Sequence, residues 1–248
     1  MPGPESPVSV LITCEHARNE VPPRWQPLFA GHEALLDSHR GWDPGSLDLA
    51  RSLSTALSAP LLAGRVTRLL IDLNRSAGHP ARFSELTRQL APADRRRIEA
   101  EYWQPHWQAF GDFLAASAAP VVHLACHSFV PVLEGVERRA DIGLLYDPRR
   151  PSERAFAAEL RAAIGRCLPG LRVRMNQPYR GTANGIGQQH RRRYDGRRLI
   201  TLEIEINQAL VAARAWSARV EALSGAVREV LNKLGGDVRG WPFGTPSG

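Results

Sequence analysis

Residues able to do hydrolytic chemistry stand at the ends of apolar runs in this chain. Glu15 and His16 follow VSVLITC, Asn74 and Arg75 follow RLLIDL, His127 and Ser128 follow VVHLAC, and Glu205 and Asn207 close LITLEIEIN. Two histidines with several carboxylates and no paired cysteines make zinc the natural metal, held by nitrogen and oxygen with one position open. Such a metal lowers the pKa of water and polarises a carbonyl, and a nearby carboxylate then serves as general base. Arg75 adds a planar guanidinium that can grip a carboxylate bidentately. That combination points to an acidic or amino-acid substrate, cleaved a few atoms from its carboxylate. Taken singly, each residue also has a structural reading. A lone histidine often caps or packs, and Glu203 and Glu205, two apart on one strand face, could be ion-paired to arginine. Their common placement at strand ends is the stronger signal.

The elements that must position them follow from hydrophobic periodicity. Strands are expected at VSVLITC, APVVHLACHSF, DIGLLYD, LRVRMNQ and RLITLEIEIN, and as two strands or one bent strand in APLLAGRVTRLLIDLN. Helices are expected at GSLDLARSLSTALS, APADRRRIEAEYWQPHWQAFGDFLAAS, PSERAFAAELRAAIGRCL and ALVAARAWSARVEALSGAVREVLNKL. This alternation predicts an α/β fold: one mixed, mostly parallel sheet with helices on both faces. In that architecture ligands bind outside the carboxyl ends of the strands.

At 248 residues the chain reads as a single domain, with a core over about 8–235 and a tail over about 236–248. Its net charge of +7 is almost entirely arginine, Lys233 being the one lysine. The densest basic run, HRRRYDGRR from His190 to Arg198, lacks an aromatic platform and matches no helix-turn-helix or zinc-finger spacing. It reads as a solvated loop or an anion-attracting rim, and no nucleic-acid partner is expected. Cys14, Cys126 and Cys167 are odd in number and form no C-x-x-C pair, which argues against a disulfide framework and a thiolate zinc site. No apolar run approaches membrane-spanning length, so no membrane partner is expected and the cytoplasm is the default location.

The ordered series CEHARNEVP, SHRGWDPG, LLIDLNRS, CHSFVPVL, DIGLLYD, NQPYRG and IEINQAL resembles the N-formylglutamate amidohydrolase family over roughly residues 8–215. The family is similar in turn to the zinc carboxypeptidases and to the aspartoacylase and succinylglutamate desuccinylase group. The resemblance implies a zinc-carboxypeptidase-like (phosphorylase/hydrolase-like) fold and one zinc ion per chain. It further implies a metal-dependent hydrolase of carbon–nitrogen bonds other than peptide bonds, acting on an N-acyl amino acid, with N-formyl among the candidate acyl groups. His16 and His127 would bind the metal, Asn74 and Arg75 the substrate carboxylate, and Glu205 would be the general base, with Glu203 as the competing choice. Tyr179, Ser128 and His190 are further substrate-binding candidates. In the carboxypeptidase pattern a glutamate follows the first histidine by three residues; here that position is Asn19, and Glu20 comes one later. Asp43, in HRGWDPG, matches an acidic position of the amidohydrolase family and by that resemblance is narrowly preferred as third ligand; Glu20 is its alternative, and His39 and Glu15 stand behind both. Asn207 stands where the family commonly has arginine, which bears on substrate identity. Two further readings remain open: a zinc peptidase acting on small acidic peptides, and a non-catalytic metal- or anion-binding protein.

Overall fold

The computed structural model describes residues 8–236. Its centre is the expected sheet. β1 (Ser9–Cys14), β2 (Leu61–Ala63), β3 (Val121–Phe129), β6 (Ile142–Leu145), β7 (Val173–Met175) and β8 (Leu199–Asn207) lie in the order β2-β1-β3-β8-β6-β7. A two-stranded hairpin, β4 (Val132–Leu133) and β5 (Val136–Glu137), stands apart. Strands β2, β1, β3 and β8 are mutually parallel; β6 runs antiparallel to β8, and β7 parallel to β6.

Alternation along the strands sorts their side chains to two faces. Ile12, Leu124, Ile204 and Ile206 pack against α2 (Ser46–Leu57), α5 (Pro151–Cys167) and α8 (Trp216–Gly236). Leu11, Val121 and Leu199 face the opposite way, onto Phe110 and Leu114 of α4 (Gln104–Ala116) and Ile186 of α6 (Ile186–Arg191). Helices thus cover both faces. This second face also carries the polar ends of the strands, from Glu15 to His127 and Glu205.

Three expectations need correction. The run RLLIDLN is not a strand. Residues 66–75 form a buried chain of turns around Leu69, Leu70, Ile71 and Leu73. Side chains replace sheet partners there: Thr67 Oγ1 accepts from Leu69 N, and Thr87 Oγ1 donates to the carbonyls of Leu69 and Leu70. An apolar β-rich run therefore satisfies its backbone without a ladder. Second, the helix expected over 209–234 is broken. α7 (Gln208–Val211) is a separate turn capped by Asn207 Oδ1, and α8 begins afresh at Trp216. Third, the basic run from His190 is partly structural. Arg191 is buried, and its guanidinium meets Glu153 Oε1 at 3.0 Å and donates to the carbonyl of Thr201. The expected tail lies, apart from Gly236, outside the described residues. No helix among those residues is long and apolar enough to cross a membrane.

Candidate active site

Each reactive side chain is delivered by a simple local device. β1 stops at Cys14, and the next two residues turn Glu15 and His16 over the sheet edge, where both are buried. Asp43 is held by its own N–H to the carbonyl of His16 at 3.0 Å. The turn then closes onto α2 through Ser46, whose hydroxyl donates to the carbonyl of Asp43 at 2.6 Å. Gly45 permits this turn: its φ is +79°, and a Cβ would stand 2.5 Å from Val211 Cγ2. Parallel register places His127 of β3 directly beside Glu205 of β8, and antiparallel register places Gly143 of β6 on the other side of Glu205.

The imidazoles of His16 and His127 stand 5.0 Å apart and turn their Nδ1 atoms to the same oxygen, Asp43 Oδ2, at 3.2 and 3.0 Å. One donor atom from each of these three residues lies within 4.8 Å of the others. The outer nitrogens are also engaged. His16 Nε2 is 2.7 Å from Asp72 Oδ1, and His127 Nε2 is 3.1 Å from Glu15 Oε2. A buried His/Asp/His set whose remaining ring nitrogens each face a carboxylate is the arrangement that fixes imidazole orientation toward a metal. The donor set suits zinc with nitrogen and oxygen ligands.

Electrostatics supports that reading. Burial alone would raise the Asp43 carboxyl, but His16, His127 and Arg68 outweigh it and hold the group well below the usual carboxylate range. Asp72 is likewise lowered, burial being overcome by Arg68 and His16. Burial depresses His127, and the carboxylates of Asp43 and Glu15 reverse this and raise it well above the ordinary value. Two acids depart from this pattern: burial raises both Glu203 and Glu205. Glu205 is 5 % exposed, its Oε2 has no hydrogen-bond partner, and burial, reinforced by Asp43 and Glu203, pushes it up to about 8 against His127 and Arg68. A nearby cation would oppose that rise.

His16, Asp43, Arg68, His127 and Glu205 line a cavity of about 200 Å³ that also takes in Asn74, Arg75, Ser128, Tyr179, Arg180, Asn184 and Glu203. Arg75 Nη1 donates to the carbonyl of Asn184 at 2.6 Å, and its Nε is buried without a hydrogen-bond partner, 3.9 Å from Asp72 Oδ2. Asn74 Oδ1 accepts from Ile186 N at 2.9 Å, and Ser128 Oγ accepts from Gln208 at 3.1 Å. Tyr179, 43 % exposed, stands at the mouth, its hydroxyl accepting from Arg138 at 2.7 Å.

Not every candidate arrives. Glu20 is exposed and paired with Arg18, so it does not compete with Asp43, and Asn19 donates outward to Asp37. Glu15 contacts His127 from behind rather than facing the cavity; His39 lines the wall. His190 is placed elsewhere: its ring stacks on Phe110 at 4.2 Å and lines a different groove with Trp103 and Trp107. Asp72, Arg68, His106 and Asn184 belong to the site's surroundings and were not foreseen. Asp72 sits two residues before Asn74, where alternation along the supposed strand was the available signal.

A family model described as N-formylglutamate amidohydrolase matches residues 8–212. A crystal structure of a gene product from Agrobacterium tumefaciens superposes with a TM-score of 0.75 at 29% identity, covering 91% of this chain and 90% of that one. The crystal structure of N-formylglutamate amidohydrolase from Ralstonia eutropha superposes with a TM-score of 0.63 at 17% identity, covering 91% of this chain and 93% of that one. No curated protein matches the sequence.

Proposed function

The chain belongs to the N-formylglutamate amidohydrolase family, and from that premise we propose that it is a zinc-dependent amidohydrolase of N-acyl, including N-formyl, amino acids. The family makes it a hydrolase of carbon–nitrogen bonds other than peptide bonds; the metal and the substrate class are our reading. The observation that carries it is the convergence of both Nδ1 atoms on Asp43 Oδ2, with a partnerless buried carboxylate oxygen, Glu205 Oε2, in the same cavity.

His16, Asp43 and His127 would hold the ion. Bound there, zinc supplies Lewis acidity toward the amide carbonyl and makes water easier to deprotonate. Glu205 accepts the water proton on Oε2 and returns it to the nitrogen of the departing amine. Arg75 and Asn74 hold the carboxylate of the amino acid, and Tyr179 covers the entrance. Arg68 serves inward, since its guanidinium is taken by Asp72 at 3.1 Å and lies 3.5 Å from Asp43.

The test is metal analysis followed by a panel of N-acyl amino acids differing in acyl group and side chain. About one zinc per chain is expected, with hydrolysis abolished by a chelator and restored by zinc. Full hydrolysis by thoroughly demetallated protein would refute the proposal.

A further inference from the structure

The segment that carries Asn74 and Arg75 has no strand partner, so something else must fix it. Trp107 Nε1 donates to the carbonyl of Leu73 at 2.8 Å, and Trp103 Nε1 donates to the carbonyl of Arg75 at 2.8 Å. The two indoles therefore grip the peptide units that bracket the Asn74–Arg75 pair, Leu73–Asn74 and Arg75–Ser76. Among the described residues no backbone N–H is bonded to either carbonyl.

Their placement is built into the helix. α3 (Pro92–Ile98) passes through a π-helical turn (Glu99–Trp103) into α4. Pro105 has no N–H to offer the carbonyl of Glu101, and Arg65 Nη2 takes that acceptor at 3.1 Å. The wider turn rotates the buried face of the helix. Before it, Ile98 packs with Leu70 and Ile71; after it, Phe110 and Leu114 pack against the sheet. Trp103 and Trp107 straddle the change and stack on each other at 4.7 Å. Arg82 covers Trp103 at 5.1 Å, and His190 lies beside Trp107 at 6.2 Å, so both rings are pinned.

We propose that Trp103 and Trp107 are positioning residues for carboxylate recognition: their N–H groups fix the backbone around Asn74 and thereby aim Asn74 and Arg75 at the substrate. This rests on the role proposed above for Arg75. Shape alone would be met by other large apolar side chains; the paired donors are what the carbonyls of Leu73 and Arg75 require.

Trp103→Phe and Trp107→Phe keep the stack and remove one N–H each. The measurement is kcat/KM for an N-acyl amino acid and for its carboxamide analogue, with zinc content as control. Each variant is expected to lose about tenfold or more on the carboxylate substrate, mostly through KM, with the carboxamide within about twofold of wild type. In an Arg75→Ala background the same substitutions should have a smaller further effect, since only Asn74 is left to be misplaced. Equal losses on both substrates, or none on either, would overturn the inference while leaving the proposed function standing. A wild-type enzyme that does not distinguish the two substrates would overturn the role of Arg75 and this inference together. If a phenylalanine variant does not fold, benzothienylalanine at the same position removes the N–H at constant shape and gives the same readings.

Discussion

Asp72→Asn isolates what the outer carboxylate does for the site. Asp72 Oδ1 takes His16 Nε2 at 2.7 Å and the N–H of Asn74 at 2.9 Å, while Oδ2 takes Arg68 Nη2 at 3.1 Å. Asparagine retains the first oxygen but turns an amide NH₂ toward the guanidinium, so one charge-assisted bond becomes a meeting of two donors. Losing such a bond costs about 1.5 to 3 kcal/mol, which in a chain of this size lowers the Tm by roughly 3 to 12 °C. Separately, a neutral partner makes His16 a poorer donor and orients it less firmly, lowering zinc affinity about 10- to 100-fold. Competition against a chromophoric chelator gives the affinity, and thermal melting of the metal-free protein gives the stability. A Tm loss with zinc affinity within twofold of wild type would refute the argument that Asp72 acts through His16, leaving it a structural ion-pair partner.

Glu205→Gln preserves size but cannot accept a proton, and kcat should fall by roughly 100-fold or more with zinc retained. Glu203→Gln, one pleat repeat away and less buried, should matter much less; the reverse ranking in the same assay would make Glu203 the base. Arg75→Lys keeps the charge and loses both the fork and the geometry of the bond to the carbonyl of Asn184; steady-state kinetics should show a cost of about 2 to 4 kcal/mol in kcat/KM, with unchanged zinc content. Gly143→Ala would put a Cβ 2.1 Å from the carbonyl of Gln177 and 3.1 Å from Glu205 Cβ. It should destabilise the protein by about 1 to 3 kcal/mol, seen by chemical denaturation, and lower activity by displacing the segment that carries Tyr179.

The sheet was legible because its strands obey simple periods, and the fully buried β3 and β8 read as near-continuous apolar runs broken by His127, Glu203 and Glu205. That the polar residues close those runs followed from the same reading. The hidden parts depended on non-local satisfaction of the backbone. RLLIDLN has strand composition, and nothing in its local pattern reveals that Thr67 and Thr87 take over its hydrogen bonds or that Asp72 thereby meets His16. His190 was misplaced for a related reason: α6 is short, and its partner, the ring of Phe110, lies on a helix far off in sequence. Glu20 and Asp43 were separable only once Glu20 proved to point outward, a matter of chain direction after β1 that residue spacing does not encode.

The position of β8 ties the proposed base to the sealing of the sheet. His16, Asp43 and His127 all precede residue 130, but the strand bearing Glu203 and Glu205 is the last of the sheet in sequence and lies inside it, between β3 and β6. A growing chain therefore carries the three proposed metal ligands well before it carries the proposed base, and β3 keeps an open edge until residues 199–207 arrive. On the function proposed above, metal capture can precede catalysis during synthesis, and the step that seals the sheet is the one that brings in the proposed base.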